Sequence, residues 1–165
     1  MGRKSTKENK SIYQVMREEL DLTREKAADM IPGFSPERIE KIENGRIQVQ
    51  PDDVMLMAEY YKQPSLCNYY CSQECPIGQK HVPKLESKEL VQITVETLNA
   101  LNQLQKDKDR LLEISEDGQI RPDEVEDFIP IMETLDKIMV SVSTLRLWLE
   151  EKCAQGKMDK ELFDL

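Results

Sequence analysis

Apolar residues recur along most of this chain at intervals of three and four, the period of a helix that buries one face. Nowhere do they alternate singly over the length of a strand between turn signals. The pattern predicts an all-α protein. Ser11 stands as a capping residue ahead of Ile12, Val15, Met16 and Leu20, which share one face of a first helix. Thr23 opens a second helix over 24–31 that turns Ala27, Ala28 and Ile31 inward before Pro32-Gly33 stops it. Ser35-Pro36 sets a cap before a proline at the first helical position, where a missing N–H leaves no bond unmade. Ile39 and Ile42 supply the inner face of this third helix until Asn44-Gly45 ends it. Pro51 opens a fourth helix bearing Val54, Leu56, Met57, Tyr60 and Tyr61, and Pro64-Ser65 separates it from a short fifth beginning near Leu66.

Periodicity lapses over 75–83, where Pro76, Gly78 and Pro83 act as breakers, and then resumes in two longer runs. The first, about 87–114, carries Leu90, Val91, Val95, Leu98, Leu101, Leu104, Leu111 and Leu112 around a polar interruption at 105–110. The second, about 122–152, places Val125, Phe128, Met132, Leu135, Met139 and Val142 at the alternating three- and four-residue spacing of a helix–helix seam. Ile131, Ile138 and Leu145 widen that face beyond what one antiparallel neighbour covers. The organisation expected is therefore a flexible arm at 1–10, a five-helix domain at 11–74, a linker at 75–86, a two-helix antiparallel hairpin at 87–152 and a tail at 153–165. The seam residues 125, 128, 132, 135, 139 and 142 form the candidate interface with a second copy or a protein partner.

Charge divides the chain unevenly. Residues 1–62 hold eleven Lys/Arg against twelve Asp/Glu, a net of −1, whereas residues 63–165 hold twelve against twenty, a net of −8. The acidic second part would be repelled by phosphates, so nucleic-acid contact falls to the first part and to Arg3, Lys4, Lys7 and Lys10 of its arm. No apolar run reaches the roughly 18 residues that a membrane span needs. The start, with Arg3, Lys4 and Lys7 and no apolar stretch behind them, does not read as a secretory signal. A cytoplasmic protein without membrane contact is expected.

Residues 22–46 carry a denser pattern. They hold Leu22-Thr23 at a helix start, small residues Ala27-Ala28 in that helix, Ser35 before the next, and Ile42-Glu43-Asn44-Gly45-Arg46 at its end. This stretch resembles the lambda-repressor-like, or XRE, family of helix-turn-helix proteins, and the step from Met57-Ala58 to Pro64-Ser65-Leu66 is similar to the rest of that five-helix domain. The resemblance spans about residues 10–72. It implies that helix 35–44 enters the major groove of double-stranded DNA. Pro36, Glu37, Arg38 and Lys41 would then read base edges, while Thr23, Arg24 and Arg46 lie near phosphates. Glu37, Glu40 and Glu43, however, put three carboxylates on or near the reading helix, and each exposed one would repel phosphate. The alternative is a helix-turn-helix fold that serves as a protein–protein interaction module.

Cys67, Cys71 and Cys75 recur every four residues, and His81, the sole histidine, follows. On a helix the first two thiols share a face, so three sulfurs and one nitrogen make a candidate structural zinc site. Equally, Cys67 and Cys71 read as small buried apolar residues, with Cys75 in a turn and no cofactor at all. The stretch 113–124 imitates a calcium-binding loop, with Gly118 sixth and Glu124 twelfth. Only Asp117 and Glu124 are strong carboxylate ligands, too few for tight binding. An interhelical turn is the better reading. No nucleophile–base pair and no phosphate-binding glycine loop is present, so no enzymatic activity is expected. Together these features describe a sequence-specific DNA-binding transcriptional regulator acting as a homodimer, with the protein-binding module as the alternative.

Overall fold

The computed structural model describes residues 9–163; Arg3, Lys4 and Lys7 of the expected arm lie outside them. Every regular element among the described residues is helical. They are α1 (Ile12–Glu19), α2 (Arg24–Met30), α3 (Pro36–Glu43), α4 (Pro51–Tyr60), α5 (Ser65–Tyr69), α6 (Gly78–His81), α7 (Leu90–Ser115) and α8 (Val125–Ala154). A π-helical turn, Tyr70–Glu74, continues α5, and a 3-10 turn, Lys160–Phe163, follows α8. None of these helices is long and apolar enough to cross a membrane. The chain divides into two compact units. The first comprises the residues up to Lys84 together with those from Glu150 onward, and the second runs from Leu85 to Leu149.

Local chemistry starts the helices of the first unit. The side chains of Ser11, Thr23 and Ser35 accept from the backbone N–H groups of Gln14, Lys26 and Arg38, which have no partner within the helix. Gln50 and Asp53 form a reciprocal cap at α4. The core joins Tyr13, Ala27, Ile31, Ile39, Ile42, Val49, Val54, Met57, Ala58, Tyr61, Leu66 and Tyr70. In α1 the inner face differs from the expected Ile12, Val15, Met16 and Leu20. Tyr13, Gln14 and Arg17 are buried, Ile12, Val15 and Met16 are half-buried, and Leu20 is exposed. Polar side chains can occupy this face because each is bonded there: Gln14 donates to Glu18 and Arg17 to Glu43. The stretch expected to be a plain linker also contains structure, since α6 packs its Gly78 against the carbonyl of Cys71.

Tyr61 is fully buried, and its hydroxyl has no hydrogen-bond partner among the described residues. Burial, reinforced by Glu43, pushes its ionisation well above the ordinary tyrosine range, and burial does the same to Tyr13 beside Glu74. Because the folded state holds these protons more tightly, their contribution is full below about pH 10 and declines above it as the unfolded chain ionises first. Tyr61→Phe removes an unbonded polar atom and is expected to stabilise by about 1 kcal/mol at pH 7, with a larger gain on the alkaline side. Urea unfolding at both pH values measures this, and a clear loss of stability at pH 7 would show that the hydroxyl is bonded.

In the second unit Arg110 of α7 lies 2.8 Å from Asp127 of α8. Ile93, Ala100 and Ile114 of α7 are buried, as are Ile131, Thr134, Ser141, Thr144 and Leu147 of α8. The seam expected on α8 is therefore not the packed one. Val125, Met132, Met139 and Val142 remain 39–55% exposed, with Phe128 and Leu135 half-buried. The packed stripe instead uses small hydroxyl residues. Thr134 and Thr144 donate to the carbonyls one turn back, Pro130 and Val140, so their polar atoms enter the interior already bonded.

Candidate nucleic-acid interface

The helix-turn-helix expected from the sequence falls on α2, the turn 31–35 and α3. Gly33 adopts φ +78° in that turn, a left-handed conformation that glycine takes without steric cost. Ser35 caps α3 and Pro36 occupies its first turn. Beyond its end, Gly45 at φ +64° lets its own N–H reach Ile42 and that of Arg46 reach Lys41, which bonds two of the last helical carbonyls. Each of the Ser35–Pro36 and Asn44–Arg46 signals thus fixes one end of α3.

Two clamps fix the orientation of α3. The first is centred on Glu43, whose side chain is 0% exposed. Arg17 of α1 grips both of its oxygens, Nε at 2.5 Å and Nη2 at 3.1 Å, and Arg24 of α2 adds Nε at 2.8 Å. Arg17 also donates to the carbonyl of Leu22. Burial alone would make the Arg17 guanidinium easier to deprotonate, but the bonds to Glu43 outweigh it and hold the charge more firmly than usual. The second clamp is Arg38, whose Nη2 lies 2.8 and 2.9 Å from the two oxygens of Asp53 and whose guanidinium sits 5.2 Å over the ring of Phe34.

The expected DNA-contacting residues consequently fall into different roles. Thr23 spends its hydroxyl on the α2 cap. Arg24, expected near phosphate, is engaged with Glu43 and one-third exposed. Arg38, expected at base edges, is tied to Asp53, and Arg46 rests 3.3 Å from Glu40 at the surface. Pro36 is half-buried, whereas Glu37 and Lys41 are exposed. Its own backbone N–H, with help from the Ser35 hydroxyl, holds the Glu37 carboxyl below the ordinary range, so it stays charged. Of the three carboxylates on this helix, Glu43 is removed from the surface and Glu40 is paired. Sequence reasoning did not foresee the pairing of Arg17 with Glu43 and did not place Asp53 here. The available signal was a charged residue at position 17 beside the apolar residues of α1.

The four candidate zinc ligands are not gathered into a site. Among the described residues no group of three or more His, Cys, Asp or Glu side chains is placed to hold a metal. Cys67, Cys71 and Cys75 pack half-buried against the core, Cys75 accepts from the N–H of Gly78 at 3.5 Å, and His81 is exposed. Burial pushes the Cys67 thiol up, with Cys71 and Glu150 adding to the effect, which favours the neutral form over the thiolate that a metal requires. In the loop 113–124, Asp117 accepts from the N–H of Gln119 and pairs with Arg121, while Glu124 accepts from the N–H of Arg121. Both strong carboxylates serve the turn between α7 and α8. No family model, curated protein or solved structure matches the chain.

Proposed function

We propose that the chain is a DNA-binding regulator that reads duplex DNA with α3 and dimerises through the hairpin. The observation that carries this reading is the Glu43 clamp. It withdraws from the surface a carboxylate that would oppose phosphate, and it couples α1, α2 and α3 so that Glu37 and Lys41 stand outward on a held helix. A fixed helix with exposed polar side chains suits groove recognition, where position decides which base edge is met. The open α8 seam, with Met139 and Val142 about half exposed, is the surface on which a second copy would cover apolar residues. Two copies would then present two α3 helices to one duplex.

One observation favours the second reading, a helix-turn-helix that binds protein. Arg24, Arg38 and Arg46 each face a carboxylate of the chain itself, which lowers the positive field available to phosphates. The two readings separate on pooled random duplex DNA at low and at physiological salt. The regulator reading expects salt-sensitive binding that Lys41→Glu abolishes without loss of helicity. It also expects a doubled mass in light scattering that Met139→Glu halves, with weaker DNA binding as a result. Absence of binding at both salts would defeat the regulator reading and leave the protein-binding module.

A further inference from the structure

The first unit contains a cavity of about 810 Å³ that the regulator reading does not use. Its apolar walls come from Met55 and Leu56 of α4, Cys67 of α5, and Cys153 and Ala154 of the last turn of α8. The volume falls within the ~300–1,000 Å³ typical of small-molecule sites, too small for a folded partner. Its charge is one-sided, because Asp52, Glu59 and Glu150 line it against the single ammonium of Lys62. Glu150 is the most telling of these. It is half-buried and near enough to Cys67 to raise that thiol, yet no hydrogen bond or ion pair among the described residues engages its carboxylate. A bound cation would give this carboxylate the opposite charge that the chain does not supply, next to apolar side chains that could cover a hydrocarbon body.

We propose that this cavity binds a small organic cation, an alkylammonium compound whose apolar body lies against Leu56, Met55 and Cys153 and whose charged head sits beside Glu150. A neutral ligand would leave the carboxylate uncompensated, and an anion would add to the repulsion. The site stands apart from α3 and does not depend on DNA binding.

Titration of the full-length chain with octyltrimethylammonium, octanoate and 1-octanol, followed through the Met55 methyl resonance, tests it. The resonance is identified by its absence in Met55→Leu. The ammonium compound is expected to bind best and octanoate worst. Glu150→Gln should weaken the ammonium compound about tenfold, the equivalent of ~1.4 kcal/mol, while leaving octanol unchanged. Ala154→Trp, which puts an indole into the space beside Cys153 and Glu150 that the apolar body would take, should abolish binding while helicity is retained. Octanoate binding as tightly as the ammonium compound, a Met55 resonance fixed under all three, or ammonium affinity indifferent to Glu150→Gln would each overturn the proposal.

Discussion

Glu43→Ala is expected to cost about 3–5 kcal/mol of stability, because it leaves Arg17 buried and charged with no carboxylate to meet it. A loss of this size is a large share of the ~5–15 kcal/mol that holds an ordinary domain together, so the variant should be partly unfolded at 37 °C. Urea unfolding of the full chain measures it. Glu43→Gln keeps the shape and one acceptor and should fall between wild type and the alanine variant. Arg24→Ala should cost about 1 kcal/mol, since Arg24 is one-third exposed and water replaces part of what it loses. The discriminating case is Arg17→Met combined with Glu43→Leu. Removing both charges at once leaves no uncompensated ion, so the double variant should be more stable than Glu43→Ala alone. A double variant as unstable as the single one would mean that the clamp acts through its geometry and not through charge compensation. Under the proposed function, any variant that loosens α3 should also weaken DNA binding more than its distance from the groove would suggest.

Gly78→Ala is expected to destabilise the first unit by about 3 kcal/mol, the upper part of the usual range for overpacking. A Cβ at this position would lie 2.0 Å from the carbonyl oxygen of Cys71 and 2.7 Å from its carbon. Those are backbone atoms of the π-helical turn itself, and no flexible side chain can yield in their place. Helix propensity predicts the opposite sign, because alanine is favoured over glycine in a helix interior by about 1 kcal/mol. The outcome therefore decides between local preference and tertiary contact. Destabilisation with loss of hydrogen-exchange protection around Tyr70–Cys75 would show that α6 locks the turn. Stabilisation would show that α6 sits farther from Cys71.

The site was legible in proportion to how locally each part is determined. Ser11, Thr23, Ser35-Pro36 and Pro51 revealed where helices begin, because a cap bonds backbone groups two or three residues away and does not depend on the rest of the fold. Ala27, Ile31, Ile39, Ile42, Val54 and Met57 could be assigned inward because the helical period aligns them on one face. What the charged side chains do was not legible in this way. Arg17 meets Glu43 across 26 positions, and Arg38 meets Asp53 across 15, so neither pairing leaves a periodic trace. Read alone, Arg38 was free to face DNA and Glu43 was free to repel it. The thiols at 67, 71 and 75 repeat as regularly as a ligand set, yet Cys75 is spent on the N–H of Gly78.

By itself, then, the sequence determined an all-helical chain, most helix starts and much of the core of the first unit. These follow from capping, breakers and amphipathic period, each settled within a turn or two of helix. The tertiary structure alone decided that α1 buries Tyr13, Gln14 and Arg17, and that Glu43 is interior. It also decided that α8 packs through Ile131, Thr134, Ser141 and Thr144 while Val125, Met132, Met139 and Val142 stay open. Hydropathy ranks a methionine as more buried than a threonine. A small hydroxyl bonded to its own helix nevertheless fits where two helices approach, and that choice is made only once the neighbouring helix is in place.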